Sequence, residues 1–367
     1  MYEDETVMVD VLIILLKVLV VLLALINLGA LLTWAERKQS AAIQDRIGPN
    51  RARIAGRAAM GLFHALADGI KMVTKEDFVP AGAHRTLHTL APAAALFPAL
   101  VVFAAIPFGD VLRVGERVIP LQIADLNVGI VYIFAVSSMA VYGTMLAGWA
   151  SNNNYALLGG LRASSQMISY EITMGLSIIG VLMIYETAQL NVIVQKQGEL
   201  LWGFLPKWGI VVQPAAFFLF LAAAMAENKR VPFDLPEGES EIIGYFVEYS
   251  SMKFAMFFLA EFVEIVIVSG LVVTLFFGGW QVPYLYADGF HWPFGWGVWQ
   301  LPHLLVVLLQ VASFGFKVLI GCWILLTVRW TLPRFRYDQV MHLGWKILLE
   351  LAFVNLLITA AVVLLIT

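Results

Sequence analysis

The sequence predicts an all-α polytopic membrane protein, and three observations carry that reading. Of its 367 residues, 60% are hydrophobic and 13% charged, about half the roughly 25% charge of a soluble domain. Mean hydropathy is +0.83. Apolar runs of about 20 residues recur from end to end, each long enough as a helix to cross about 30 Å of hydrocarbon. A transmembrane barrel would instead alternate apolar and polar residues.

Eight spans are expected, over residues 11–32, 87–106, 128–146, 167–184, 210–225, 254–277, 301–328 and 347–366, the fifth being the shortest. An even number puts both termini on one side. Connections after the first, third, fifth and seventh spans carry 15 lysines and arginines against four on the other face. By the positive-inside rule, both termini face outside, and residues 34–86, 227–251 and 329–343 are cytoplasmic. Glu3, Asp4, Glu5 and Asp10 replace the basic start of a signal peptide, so the first run is expected to be a retained span. With no repeat or appended domain evident, residues 1–367 read as a single membrane domain.

The longest connection, 34–86, contains a segment at 57–73 that reads as an amphipathic helix on the cytoplasmic side. Arg57, His64, Asp68 and Lys71 fall within about 60° of one another at roughly 100° per residue. Met60, Phe63, Leu66, Ala67 and Ile70 fill the other side. Such a helix either lies at the headgroups or lines a cavity.

The net charge of −3 gives no reason to expect a nucleic-acid partner. There is no GxGxxG after a strand, no phosphate-binding loop of the Walker type and no HExxH, so neither a nucleotide nor a metal site is expected. The single cysteine, Cys322, excludes an internal disulfide and an all-cysteine iron-sulfur cluster. His84 and His88 share a helix face but lack the opposing pair a haem would need.

Acidic residues inside apolar spans are more informative, because a charge at the bilayer centre costs about 2.5 to 3.5 kcal/mol and persists mainly where it has a partner or a task. Glu171 lies in the fourth span, Glu227 follows the fifth, and Glu261 and Glu264 lie in the sixth with Lys253. Lys253 and Glu264 share a helix face but are about 16 Å apart, too far for a direct bridge. A wet or protein-lined path is one reading; structural pairing between helices, for Lys253 and Lys317 especially, is the other. In the 227–251 connection, Pro232 and Pro236 prevent a continuous helix. Glu237, Glu239 and Glu241 alternate, so an extended backbone would aim all three one way. Either a solvated acidic loop or an ordered acidic funnel braced at Phe233 is expected there.

Long motifs add a resemblance. WAERKQSAAIQDRIGPNR at 34–51, ADGIKMVTKED at 67–77 and GWASNNNYALLGGLRASSQMISYE at 148–171 are followed by PFDLPEGESE at 232–241, EYSSMKFA at 248–255 and TLPRFRYDQVMHLGWK at 331–346. Together and in this order they resemble the H-subunit family of NADH-quinone oxidoreductase, respiratory complex I, over nearly the whole chain. The resemblance implies a heel component of the membrane arm that forms much of the quinone chamber and couples quinone reduction to proton translocation, without catalysing the reaction in isolation. By motif, Gln44, Arg46, Asp68 and Lys71 belong near the chamber. Glu171 and Glu227 belong to an acidic path into the membrane arm, with Glu36, Asp77, Glu237, Glu239 and Glu241 as entrance acids; Lys253, Glu261 and Glu264 are further intramembrane charges.

Flavin and iron-sulfur clusters are expected on partner subunits of the peripheral arm, quinone as the substrate, and no cofactor or metal on this chain alone. The expected location is a bacterial plasma membrane. The chain departs from the family's common pattern at Phe63 to Leu66, around Asn228 and at Phe246 and Val247, leaving the acids in place. The anchor subunit of a related ion-translocating membrane-bound hydrogenase is the alternative, less well matched at the DRIGPNR and PFDLPEGESE segments. A stand-alone transporter would be expected to show inverted repeats, and none is found.

Overall fold

The computed structural model describes residues 2–238, 241–292 and 297–366. The chain begins with α1, Tyr2–Ile43, a helix of 42 residues that extends about 63 Å, twice the hydrocarbon thickness. It contains the first expected span and continues through Glu36 to Gln39, a run of strong helix formers with no glycine between Gly29 and Gly48. The start of the expected loop is therefore helical.

The expected amphipathic helix at 57–73 is realised later and shorter, as a 3-10 turn Ala59–Gly61 and then α2, Phe63–Thr74. Arg57 is off the helix, in an isolated bridge with Ile54. The cause is the backbone at Ala59, Met60 and Gly61, all with positive φ. At Gly61 a Cβ would lie 2.2 Å from the Pro49 carbonyl oxygen, so only glycine fits. No residue of α2 is buried, and Leu66, Ile70 and Val73 are each more than half exposed.

The bundle continues with α3 (Arg85–Val102), α4 (Gly129–Ser137), α5 (Ala140–Ala150), α6 (Asn154–Tyr185), α7 (Leu190–Gln197), α8 (Gly209–Val212) and α9 (Pro214–Glu227). It closes with α10 (Ser251–Phe276), α11 (His303–Thr331), α12 (Tyr337–Leu343) and, after a π turn at Gly344–Leu348, α13 (Leu349–Ile366). Among the described residues, seven helical segments are long and apolar enough to cross a membrane, with α4 and α5 together forming one and α12 to α13 another. The fifth expected span differs. α9 has 14 residues, about 21 Å of rise, because Gln213 separates it from α8. The short hairpins β1–β2 (Val111–Val114, Arg117–Pro120) and β3–β4 (Leu200–Leu201, Leu205–Pro206), with the three-stranded β5 to β7 (Leu285–Tyr286, Gly289–His291, Val298–Gln300), occupy the connections at the far end from α2.

α10 is the central post. Its second half, from Ile265 on, carries no charge, and nearly every residue from Ala260 to Phe276 is buried, as expected of a helix enclosed by others. α1, α11 and α13 lie outside it and leave Leu12, Leu16, Phe316, Trp323, Phe353 and Leu364 exposed. Beyond the end of α10, Lys317 of α11 donates to the carbonyls of Phe277, Gly279 and Gln281 at 2.9, 3.0 and 2.6 Å. The sequence leaves Lys317 open to interhelical pairing with an acid; it satisfies the end of a helix instead.

α3 and α5 approach through small side chains, Ala91 and Ala95 facing Gly143 and Ala147. A Cβ at Gly143 would lie 2.4 Å from the Ala95 nitrogen. Gly143→Ala is therefore expected to force the helices apart at about 1 to 3 kcal/mol, read as a lower thermal midpoint of the detergent-solubilised protein. Gly175→Ala, in the middle of α6 with nothing within 4 Å of the added methyl, should hold or raise the midpoint.

Candidate functional site

The connection between α9 and α10 is ordered and folded inward. Gln166 of α6 donates through Nε2 to the carbonyls of Ala226 and Phe233, both at 2.7 Å. Phe233 is buried between Tyr170 and Phe335, each ring centroid 5.7 Å away. The two charged residues after the end of α9 are thereby carried inside: the Lys229 and Arg230 side chains are 3% and 10% exposed.

Buried cations need partners, and each has one from a different helix. Arg230 Nη1 is 2.8 Å from Glu36 Oε2, and Arg329 Nη1 of α11 is 3.0 Å from the other oxygen, Oε1. Arg230 also approaches Glu261 at 3.9 Å and lies over the Phe262 ring at 4.3 Å. Lys229 Nζ is 3.5 Å from Glu264 Oε2. Arg334 meets Asp234 at 2.7 Å. Burial lifts the Asp234 carboxyl to about 6, with Arg334 and Arg329 opposing the rise.

The alternation of Glu237, Glu239 and Glu241 does not produce one acidic face. Glu241 and Ile242 donate their backbone N–H groups to the Gly238 carbonyl, a turn in place of extended chain. Glu241 points to Arg162 at 2.7 Å, whereas Glu237 turns inward to Glu261. Glu239 lies outside the described residues. Burial, and then the charge of Glu261, push the Glu237 carboxyl well above the usual range. Among the described residues the cluster has five acids, Glu36, Asp234, Glu237, Glu261 and Glu264, against the four cations Lys229, Arg230, Arg329 and Arg334. It balances when Glu237 keeps a proton.

Deeper in the bundle are the other two acids. Ser138, at the break between α4 and α5, donates to Glu171 Oε1 at 2.8 Å. Glu227 ends α9 and, with Ser137, Asn228 and Glu264, lines a cavity of about 50 Å³ otherwise walled by apolar side chains. That volume can hold water. Lys253 and Glu264, unbridged as their separation predicts, have other partners: Lys253 is 3.0 Å from Asp77.

The expected chamber residues gather at the end of α1. Arg46 donates from Nε to Gln44 at 2.8 Å and from Nη2 to Ser40 at 2.8 Å. Asp68 of α2 pairs with Arg37 of α1 at 2.6 Å, and Lys71 is exposed. Ser250 and Ser251 donate to the carbonyls of Glu76 and Met72, fastening the far end of α2 to the start of α10. His84 and His88 have structural partners: His84 caps Leu87 N, and His88 stacks on Tyr249 at 4.0 Å.

Sequence reasoning treats Arg37, Lys229, Arg230, Arg329 and Arg334 as topology markers. In the structure all five are the counter-ions of acids. The available signal is the K-R pair directly after an apolar run, too close to the span to be freely solvated. Ser138 carries no sequence signal beyond being polar within a span.

A family model described as NADH dehydrogenase matches residues 16–360. One of the H subunits of NADH-quinone oxidoreductase from Cytophaga hutchinsonii is 46% identical over 334 residues, 91% of each chain. One from Geobacter metallireducens is 45% identical over 357 residues, 97% of this chain and 98% of its own. The corresponding protein of Bdellovibrio bacteriovorus is 44% identical over 371 aligned residues, 95% of each. The chain belongs to this family.

Charge balance in the cluster is open to measurement. The infrared carboxylic-acid band of Glu237 should survive to pH values at which exposed glutamates have ionised, and be absent in the Glu237→Gln difference spectrum. A band lost by about pH 5 would mark an ordinary exposed carboxyl.

Proposed function

We propose that this member of the NADH dehydrogenase family is the membrane subunit of a proton-translocating NADH-quinone oxidoreductase, forming much of the quinone chamber and coupling quinone reduction to proton movement. The observation that carries the reading is a series of buried and half-buried ionisable groups, from the α1–α2 end through Glu36, Arg230 and Glu261 to Lys229, Glu264, Glu227 and Glu171. A protein needing only structural ion pairs has no use for acids beside a cavity able to hold water.

Residues 1–367 act as one membrane domain, with 34–86 and 227–251 on the cytoplasmic side of a bacterial plasma membrane and both termini outside. Gln44, Arg46, Asp68 and Lys71 present donors and charge to the quinone headgroup. The exposed apolar face of α2, Leu66, Ile70 and Val73, suits the isoprenoid tail. Electrons reach the headgroup from iron-sulfur clusters and flavin held by partner subunits. This chain's one cysteine, buried in α11, could not hold such a cluster.

Within the path the acids divide by environment. Glu36, gripped by two guanidiniums, holds α1, the loop and α11 in register. Asp77 with Lys253, Glu237 and Glu241 stand nearest the chamber, Glu239 belonging with them by sequence. Glu261 and Glu264 relay the charge change inward, and Glu227 and Glu171 exchange protons with the membrane arm. Quinone reduction consumes two protons with two electrons, so the electrostatics at the chamber change with each turnover. Acids coupled by buried cations respond to that change over long distances because little water screens them.

Glutamine keeps the size of glutamate but cannot exchange a proton. Glu171→Gln and Glu227→Gln are expected to lower quinone reduction and proton pumping together in fully assembled complex. Unchanged turnover and pumping in both variants would sink the coupling role. Neutralising Asp68 or Arg46 should impair quinone-linked turnover more than electron transfer to an artificial acceptor upstream; equal loss of both would place the damage elsewhere.

Orientation has its own test. With Cys322 replaced, a cysteine at exposed Asp288 should react with an impermeant thiol reagent in intact cells, and one at exposed Gln339 should be protected. Reversed labelling would invert the topology.

A further inference from the structure

The two hydroxyls at the break between α4 and α5 have more acceptors around them than a helix break needs. Ser138 Oγ is 2.5 Å from the Phe134 carbonyl and 2.8 Å from Glu171 Oε1. Ser137 Oγ is 3.1 Å from the same Phe134 carbonyl and also contacts Glu227. The Ser138 backbone N–H donates to that carbonyl as well, at 3.0 Å. One carbonyl with two lone pairs thus faces three donors.

A serine hydroxyl has a single proton, so Ser138 cannot donate to Phe134 and Glu171 at once. When it donates to the carbonyl, which can only accept, the contact with Glu171 is a hydrogen bond only if Glu171 holds the proton. When Glu171 is ionised, the hydroxyl rotates and donates to the carboxylate. The bonds on either side are loosened from α-helical pairing: Met139 N donates to Val136, Val141 N to Ser138 and Tyr142 N to Met139, each three residues back.

We propose that Ser137 and Ser138 form a hydroxyl relay joining Glu171 to Glu227. Ser138 Oγ receives a proton from Glu171 as its own O–H proton passes on; the two hydroxyls share the Phe134 carbonyl at 2.5 and 3.1 Å, close enough for one bridging water to carry it to Ser137, which faces the cavity and hands its proton to Glu227 in the same way. Each hydroxyl ends neutral, the proton lost by one carboxyl is gained by the other, and the rotors then reset. The serines are positioning residues acting through the two acids, and the relay rests on the reading that those acids handle protons.

The test uses the assembled complex in inside-out membrane vesicles. Quinone-linked turnover, proton uptake, upstream artificial-acceptor activity and subunit content are measured on the same preparation. Under the relay, the Ser137→Ala, Ser138→Ala double variant loses turnover and pumping together by about tenfold, with acceptor activity and subunit content unchanged. Ser138→Thr, which keeps the hydroxyl, retains activity that Ser138→Ala loses. Should the double variant fail to assemble, the two single variants at Ser138 carry the same comparison. Equal loss with alanine and threonine assigns a packing role and overturns the relay, as does unchanged turnover without either hydroxyl. Glu171→Gln and Glu227→Gln measured alongside separate the two failures: if they are inactive while the alanine variants work, only the relay falls, and if they too are active, the coupling reading falls with it.

Discussion

Glu36 stands between two guanidiniums, and much of the loop-end architecture depends on that contact. Its two oxygens take one arginine each, Arg230 from the connection after α9 and Arg329 from α11, while Glu36 itself belongs to α1. Three segments distant in sequence are thus held at one point, with Glu36 and Arg230 buried and Arg329 half-buried. Removing Glu36 would leave buried Arg230 with only the 3.9 Å approach to Glu261, and breaking a buried pair in this way costs about 3 to 5 kcal/mol. The same contact directs Arg230 toward Glu261 and places its guanidinium over the Phe262 ring, so the charge arrangement against α10 follows from the clasp on α1.

Around that clasp, the bundle repeatedly breaks helices and then repairs the backbone with side chains. Gln166 takes the carbonyls freed where α9 ends. Gln197 Oε1 accepts the N–H groups of Gly209 and Gly278 at 3.1 and 3.0 Å. Gln213, at the α8–α9 break, satisfies its own amide instead, exchanging side-chain hydrogen bonds with Thr359 and Asn355 of α13. In hydrocarbon an unpaired peptide group costs several kcal/mol, so breaks survive only where such partners lie within protein. This is why the irregular segments, including the Ser137–Ser138 break, are interior features that can carry polar chemistry.

The class of fold and most of its crossings are legible in the sequence because apolar runs report the bilayer directly. Boundaries are less so: Glu36 to Ile43 are polar enough to read as loop, yet nothing in them stops a helix, and α1 simply leaves the membrane as a helix. The α2 periodicity holds from His64 onward and fails at Arg57, where positive φ at three successive residues depends on the close approach of Pro49. The acids of the interior are visible as charges in the wrong solvent. Their partners are not, since Lys229, Arg230, Arg329 and Arg334 resemble the exposed cations that flank any span, and only tertiary packing reveals which are buried. Two-residue alternation at Glu237, Glu239 and Glu241 misleads for a related reason: period two has meaning only on extended chain, and Pro236 with Gly238 makes a turn.

At the opposite end of α10 the ammonium of Lys317 sits within three carbonyls that use all of its protons. A cation so held makes that end of the post unfavourable to a second positive charge, the electrostatic principle by which a single cation in a pore excludes others. The central post therefore has opposite terminals, acid-rich and polarisable at one, positively insulated at the other. Negative charge is thereby collected at one terminal and positive charge caged at the other, so the post that everything else packs against is electrically lopsided along its own axis.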